Sequence, residues 1–106
     1  MWIIKNRMTN EYDTKGLSQR FCPAERAAWS KLGSAKNHVI HKVGGYRPCL
    51  RLLEWYCNAD LINIGKDDSE YVEAFPVIEY LREYYICQRD YLTEEMQKLL
   101  GLEKEK

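Results

Sequence analysis

Two histidines and four cysteines are the side chains of this sequence that are best suited to bind a metal ion. His38 and His41 lie three positions apart and would share one face of a helix, and Cys49 and Cys57 would complete a set of two nitrogen and two sulfur ligands. Neither half of this set is a tight pair of cysteines or of histidines, as the compact zinc motifs require. We therefore expect no metal ion and no other cofactor, and we interpret both histidines as surface residues of a basic helix.

Nucleophilic and acid–base catalysis are the next chemistries to consider. Cys22 precedes a predicted helix start, where a thiolate is stabilised, but the sequence gives no sign of a base beside it. Glu79 and Glu83 lie one turn apart on a predicted helix whose other charged residues indicate a solvated face. Gly44 and Gly45 form a turn and not a phosphate-binding loop. We therefore predict no catalytic residues and expect that the protein is not an enzyme.

The length and composition limit the fold and the location of the protein. The 106 residues fit a single domain, 1–106, and the apolar fraction of 45% is typical of a globular protein. No apolar run approaches the roughly 20 residues of a membrane span, and the first residues lack the apolar core of a signal peptide. We expect a cytoplasmic protein that binds no membrane and whose cysteines are not paired in disulfides.

The predicted sheet combines two strands from the start of the chain with one from just beyond its middle. Residues 2–5 and 11–14 are predicted to form an N-terminal hairpin around a polar turn. Leu61-Ile62-Asn63-Ile64, followed by a glycine, predicts a short third strand over 60–64. The fold class is therefore α+β, with a small antiparallel sheet packed against two long helices.

Proline and glycine positions indicate where the helices begin and end. We predict a long helix from Pro23 to about residue 42, continuous or kinked at Gly33, because a stripe of small apolar residues follows a helical period. A short helix over 48–57 is favoured, although an extended segment is the alternative for its second half. A third helix starts at Pro76 and is predicted to continue to Leu92. The last helix begins after Thr93 and ends at Gly101.

The charges are unevenly distributed along the chain. Residues 26–53 contain six basic residues and no acidic residue, whereas residues 54–106 contain six basic and thirteen acidic residues. Lysine and arginine bind phosphates, and the aromatic residues Trp29 and Tyr46 in the basic segment could stack on bases. One hypothesis is therefore a nucleic-acid-binding surface. Its candidate residues are Lys31, Lys36, Lys42, Arg47 and Arg51.

The acidic C-terminal half provides the alternative surface, which we favour. The residues proposed to contact a protein partner are Glu79, Tyr80, Glu83, Ile86 and Asp90, with the adjacent loop at 66–70. On a helical wheel Ile86 falls on the charged face, and an apolar residue there indicates a contact. Of the neighbouring tyrosines, we expect Tyr84 and Tyr85 to be buried and Tyr80 or Tyr91 to be partly exposed.

The N-terminal third of the chain resembles small uncharacterised proteins of bacteriophages and prophages. The resemblance lies in the segments Trp2-Ile-Ile-Lys-Asn, Asn10-Glu-Tyr-Asp-Thr-Lys-Gly16 and Trp29-Ser-Lys-Leu-Gly-Ser-Ala-Lys-Asn-His-Val39, together with Phe21. It implies a bacterial cell and an accessory role. Such proteins often bind a host protein, and some inhibit CRISPR and other defence systems. The first hypothesis is therefore a phage-encoded protein that binds a bacterial host protein, the second a nucleic-acid binder, and the third a homodimer that pairs its oppositely charged halves.

Overall fold

A computed structural model shows an α+β fold, as the sequence predicts. The structure describes residues 1–14, 21–22, 27–44, 49–65 and 71–102, and within the last range the side chains of Tyr71 and Val72 lie outside the description. The strands are β1 (Trp2–Asn6), β2 (Tyr12–Asp13), β3 (Phe21–Cys22), β4 (Ala59–Ile64) and β5 (Tyr71–Pro76). The helices are α1 (Leu32–Gly44), α2 (Leu50–Cys57), α3 (Val77–Tyr85) and α4 (Glu94–Leu99), with a short 3₁₀ turn at Arg89–Tyr91.

The sheet is antiparallel and has the strand order β3-β2-β1-β4-β5. The predicted hairpin and the predicted third strand are confirmed, and β1 pairs with β4 along its whole length, from Trp2 opposite Asn63 to Asn6 opposite Ala59. The sequence prediction missed the two edge strands. β3 consists of only two residues, and β5 ends directly at Pro76, where the sequence signal for the following helix is strongest.

The first helix starts later than predicted, because residues 27–31, expected to be helical, are not. Residues 27–31 precede α1, and the backbone of Trp29 pairs with Trp2 through two hydrogen bonds, of 2.7 Å and 2.9 Å. The edge of β1 thus supplies partners for backbone groups that a helix would have used internally. Gly33 stands in the first turn of α1 and is not a kink. Residues 23–26 lie outside the described residues.

The third helix begins where the sequence predicts and ends early. Pro76 has an extended backbone immediately before α3, but the helix stops at Tyr85 and not at Leu92. The amide of Gln97, on α4, donates to the carbonyl oxygens of Arg89 at 2.7 Å and of Leu92 at 3.0 Å. These bonds satisfy backbone groups that a continuous helix would have paired, so the chain can turn between α3 and α4.

The helices cover one face of the sheet, and the main core there includes Ile4 and Leu61 of the sheet together with helix residues such as Val39, Leu53 and Leu81. The opposite face has a smaller cluster of Ile3, Ile62 and Ile64. A strand that is buried on both faces reads as a continuous apolar run, which is why β1 shows no clean alternation in the sequence. None of the described helices combines the length and the apolar composition that crossing a membrane requires.

Candidate functional site

A buried cluster of charged and polar side chains joins the hairpin to the first two helices. The carboxylate of Asp13, on β2, is completely buried and lies 2.6 Å from the ammonium group of Lys42, on α1. Its other oxygen accepts a hydrogen bond from the hydroxyl of Tyr56, on α2. His38 Nε2 lies 3.2 Å from the same oxygen but has no hydrogen-bond partner among the described residues.

Aromatic rings surround this cluster and exclude water from it. Lys42 Nζ lies 4.5 Å from the centroid of the Phe21 ring, and the ring of Trp29 lies 4.8 Å from that of His38. The Phe21 ring also stacks on Trp55, with 3.8 Å between their centroids. Because both Asp13 and the side chain of Lys42 have 0% exposure, this ion pair cannot contact a macromolecular partner. Its role in the native structure is to connect β2 to α1 and α2.

The position of Lys42 corrects one residue of the predicted nucleic-acid surface. Lys42 was expected to bind phosphate but is paired in the core with Asp13. Lys36 is half-buried, with Nζ 5.7 Å from the ring centroid of Phe75 and 5.4 Å from that of Tyr80. Lys31 and Arg51 are exposed, whereas Arg47 lies outside the described residues. Lys31 immediately precedes α1, whereas Arg51 belongs to α2.

The candidate metal ligands are not brought together. His38 contacts Asp13 and Trp29, whereas His41 is exposed on the next turn of α1. In the part of the chain that the structure describes, no three histidine, cysteine or acidic residues are grouped so that they could bind a metal ion. Burial raises the pKa of the Cys57 thiol to about 11, which disfavours the thiolate that metal binding needs.

Cys22 belongs to β3, and the residues directly after it, 23–26, lie outside the described residues. The helix start that was expected beside Cys22 and would stabilise its thiolate therefore stays a prediction.

Four of the five predicted protein-contact residues are exposed, and the fifth is buried. The exposed residues are Glu79, Glu83, Ile86 and Asp90. Tyr80 is only 7% exposed and packs in the main core, so its prediction as a surface contact is wrong. Burial, followed by the nearby charge of Asp13, raises the pKa of the Tyr80 hydroxyl. The loop at 66–70 that was predicted to extend this surface lies outside the described residues.

Two tyrosines outside the predicted contact set are exposed, and the expected partial exposure of Tyr91 is confirmed. Tyr84 was expected inside but is 43% exposed, and Tyr91 is 48% exposed. Tyr85 is buried, as predicted. Because α3 ends at Tyr85, no further helical turn covers Tyr84. The premature end of the helix therefore determines this part of the surface, and the helical period in the sequence gave no signal of it.

A half-open groove of ≈ 190 Å³ lies between the end of α1 and the segment that links α3 to α4. We call it the tyrosine groove, and its lining residues are Ile40, His41, Gly44, Tyr84, Tyr85, Gln88 and Tyr91. The hydroxyl of Tyr91 donates to the carbonyl oxygen of Gly44 at 2.9 Å. A Cβ atom at Gly44 would lie 3.1 Å from the Tyr85 hydroxyl, so the close packing of the groove floor depends on this glycine.

The tyrosine groove is built mainly of aromatic rings and phenol groups. The rings of Tyr84 and Tyr85 meet edge to face, with centroids 4.9 Å apart and an interplanar angle of 85°. Burial, and then the proximity of Tyr84 and Tyr91, raises the pKa of Tyr85 to about 12. The groove therefore presents aromatic rings, and the Tyr85 hydroxyl among them stays protonated at neutral pH.

Comparison with known proteins assigns neither a family nor a function to these features. No protein family, no curated protein and no solved structure matches this chain.

Proposed function

We propose that this domain is a non-enzymatic protein-binding accessory protein whose contact surface lies around the end of α3. The surface, called here the acidic-aromatic surface, comprises Glu83, Tyr84, Ile86, Asp90 and Tyr91. Five large apolar side chains are exposed among the described residues, and three of them, Tyr84, Ile86 and Tyr91, fall within this short segment. Such a cluster of exposed apolar groups with charged neighbours is typical of protein contact sites, and it is the observation that carries the proposal.

The backbone of the acidic-aromatic surface is fixed before any partner binds. Gln97 bonds to the carbonyl groups of Arg89 and Leu92, and Tyr91 bonds to Gly44 at the end of α1. A surface that is already ordered loses less conformational entropy on association, which favours binding. This rigidity supports the choice of the α3–α4 link as the contact site.

The partner that we propose is a bacterial host protein, in line with the resemblance to small phage and prophage proteins. Inhibition of a CRISPR or other defence protein is one function of this kind. Homodimerisation is the alternative use of the same surface. The nucleic-acid hypothesis has less support, because one of its five basic residues is buried with Asp13 and another, Lys36, is half-buried against the rings of Phe75 and Tyr80.

Affinity capture with matched variants tests the proposal. Wild-type protein, Ile86→Ser and Met8→Ser are immobilised in equal amounts and exposed to bacterial lysates, including lysates of strains with intact defence systems. Met8 is the matched control because it is more exposed, at 76% against 50% for Ile86, and lies in the hairpin turn. We expect Ile86→Ser to bind the captured partner roughly tenfold more weakly, as at an interface hot spot, and Met8→Ser to bind it normally.

Two results would contradict the proposal. One is that wild-type protein captures no specific partner and remains monomeric. The other is that Ile86→Ser and Met8→Ser bind the partner equally well. A parallel titration with labelled duplex and single-stranded nucleic acid across a salt series tests the alternative, since phosphate contacts weaken steeply as salt rises.

A further inference from the structure

We propose that the tyrosine groove binds a guanidinium group, so that the protein partner docks with an arginine side chain. The proposal rests on the proposed function, because it names the chemistry by which the acidic-aromatic surface recognises its partner. The groove adjoins that surface and shares Tyr84 and Tyr91 with it.

The arrangement of the rings is the first argument. Tyr84 and Tyr85 stand nearly perpendicular to each other, and Tyr91 lines the groove as well. Cations bind to the faces of aromatic rings, and a planar guanidinium also stacks on one ring while its edge points toward others. The fully buried Tyr85 provides a fixed wall, whereas Tyr84 and Tyr91 leave part of their surface open to an incoming side chain.

The electrostatic environment is the second argument. The groove lies at the C-terminal end of α1, where the helix dipole places partial negative charge. Exposed Glu83 and Asp90 directly precede Tyr84 and Tyr91 in the chain and add negative charge to the surrounding surface. Among the described residues that line the groove there is no lysine or arginine, and His41 is the one basic side chain. The partial negative charge of the helix end favours a positively charged group over an acidic one.

Arg89, in the segment that links α3 to α4, is not among the described residues that line the groove. It is half-buried, and its Nε atom donates to the carbonyl oxygen of Ile86 at 3.4 Å. Its guanidinium is thus directed to the backbone of the α3–α4 link. Among the described lining residues, none offers a guanidinium that would compete with an arginine from a partner.

The size of the groove is the third argument. Its volume of ≈ 190 Å³ is below the roughly 300–1,000 Å³ of pockets that enclose drug-sized ligands, so it suits one side chain. Arginine is preferred over lysine because its planar group stacks on the tyrosine ring while its several N–H groups remain free to donate to the Gly44 carbonyl. A neutral side chain of similar shape lacks the attraction to the ring faces.

An NMR titration of the full chain with N-acetyl-arginine amide tests the site. The control ligands are N-acetyl-citrulline amide, which has nearly the same shape without the charge, and N-acetyl-lysine amide. We expect saturable shifts of the ring signals of Tyr84, Tyr85 and Tyr91 and of the Gly44 amide with arginine, weaker shifts with lysine, and none with citrulline. Absence of saturable shifts with arginine, or equal shifts with citrulline, would overturn the proposal.

Paired substitutions at Tyr84 supply a second measurement. Tyr84→Phe retains the ring and Tyr84→Leu removes it, and both variants are expected to fold because this side chain is substantially exposed. We expect Tyr84→Leu to bind arginine amide roughly 2- to 10-fold more weakly and Tyr84→Phe to bind it like the wild type. Equal affinity of Tyr84→Leu and wild-type protein would reject the aromatic site.

The two proposals fail in different ways. If arginine amide does not bind but Ile86→Ser still loses the captured partner, the acidic-aromatic surface stands and the guanidinium site is rejected. If arginine amide binds as expected but Ile86→Ser and Met8→Ser retain the partner equally, the guanidinium site stands and the proposed location of the protein contact is rejected.

Discussion

At the scale of single residues, the buried pair of Asp13 and Lys42 shows that a basic residue in this sequence can belong to the core. A lysine in an acid-free segment looks like a phosphate contact, yet its ammonium group is enclosed with a carboxylate from 29 positions earlier. Two buried charges are tolerated only as a pair, because desolvating one without the other is very costly. Tyr56 and the backbone of Thr14 supply further hydrogen bonds to the same carboxylate.

Replacing Lys42 by methionine is therefore expected to destabilise the protein strongly. Lys42→Met leaves the carboxylate of Asp13 buried without its cation, and we expect the free energy of unfolding to fall by roughly 3–5 kcal/mol. Urea denaturation followed by circular dichroism measures the change. Lys31→Met, at an exposed lysine, is the matched control and should change stability by no more than about 0.5 kcal/mol. Similar denaturation midpoints for the two variants would show that the ion pair is not needed.

At the scale of secondary-structure elements, the last helix stabilises the surface that we propose as the contact site. Thr93 accepts a hydrogen bond from the backbone N–H of Met96 at 3.3 Å and so caps the first turn of α4. The next residue of α4, Gln97, bonds to both ends of the preceding 3₁₀ turn. The threonine that caps α4 therefore also helps to fix the segment that links α3 to α4.

Removing this cap should loosen both the helix and the adjoining surface. We expect Thr93→Ala to lower the free energy of unfolding by about 1 kcal/mol, within a range of roughly 0.5–2 kcal/mol. Amide hydrogen exchange should become faster at Tyr91 and Leu92, whose N–H groups bond within the link. Thr93→Ser keeps the hydroxyl and should restore both properties. Equal exchange rates in the alanine and serine variants would contradict this role of the cap.

At the scale of the whole molecule, the tyrosines connect elements that are distant in sequence. Tyr56 of α2, together with Tyr80 and Tyr85 of α3, packs in the core, and burial is the main cause of the raised pKa of all three. A tyrosine of the unfolded chain loses its proton near pH 10, whereas Tyr85 in the folded protein keeps its proton up to about pH 12. Above pH 10 the unfolded state therefore binds fewer protons than the folded state.

This difference predicts that stability falls in alkaline solution. The contribution of Tyr85 is fully present below pH 10 and is lost as the pH rises to about 12, because deprotonation favours the unfolded chain. Urea midpoints measured at several pH values across this window should decrease. Tyr85→Phe should show a shallower decrease than Tyr84→Phe, which removes the hydroxyl of an exposed neighbour. Identical pH dependence of the two variants would refute the assignment.

Local signals in the sequence determined several elements correctly. The β-rich runs at 2–5 and 60–64, the proline at 76, the cap at Thr93 and the glycine at 101 correspond to β1, β4, the start of α3, the start of α4 and its end, where Gly101 has φ +72. Each is a short-range effect of side-chain shape or hydrogen bonding on its own backbone. The fold class and the exposure of Glu79, Glu83, Ile86 and Asp90 follow from the same information, because charge and local period indicate which face is solvated.

Only the tertiary structure decided the remaining features, because they depend on contacts between distant segments. Trp29 pairs with β1 and is not part of a helix, in contrast to the prediction. Helix α3 ends before Leu92, and Gln97 of α4 donates hydrogen bonds to the segment that links the two helices. Lys42 and Tyr80 are buried and not on the surfaces predicted for them. Lys42 pairs with Asp13, and Tyr80 packs in the main core. The sequence by itself thus determined the fold class, the strands β1 and β4, the starts of α3 and α4, and the charge of the two halves. Long-range pairing decided which of those charges and tyrosines reach the surface.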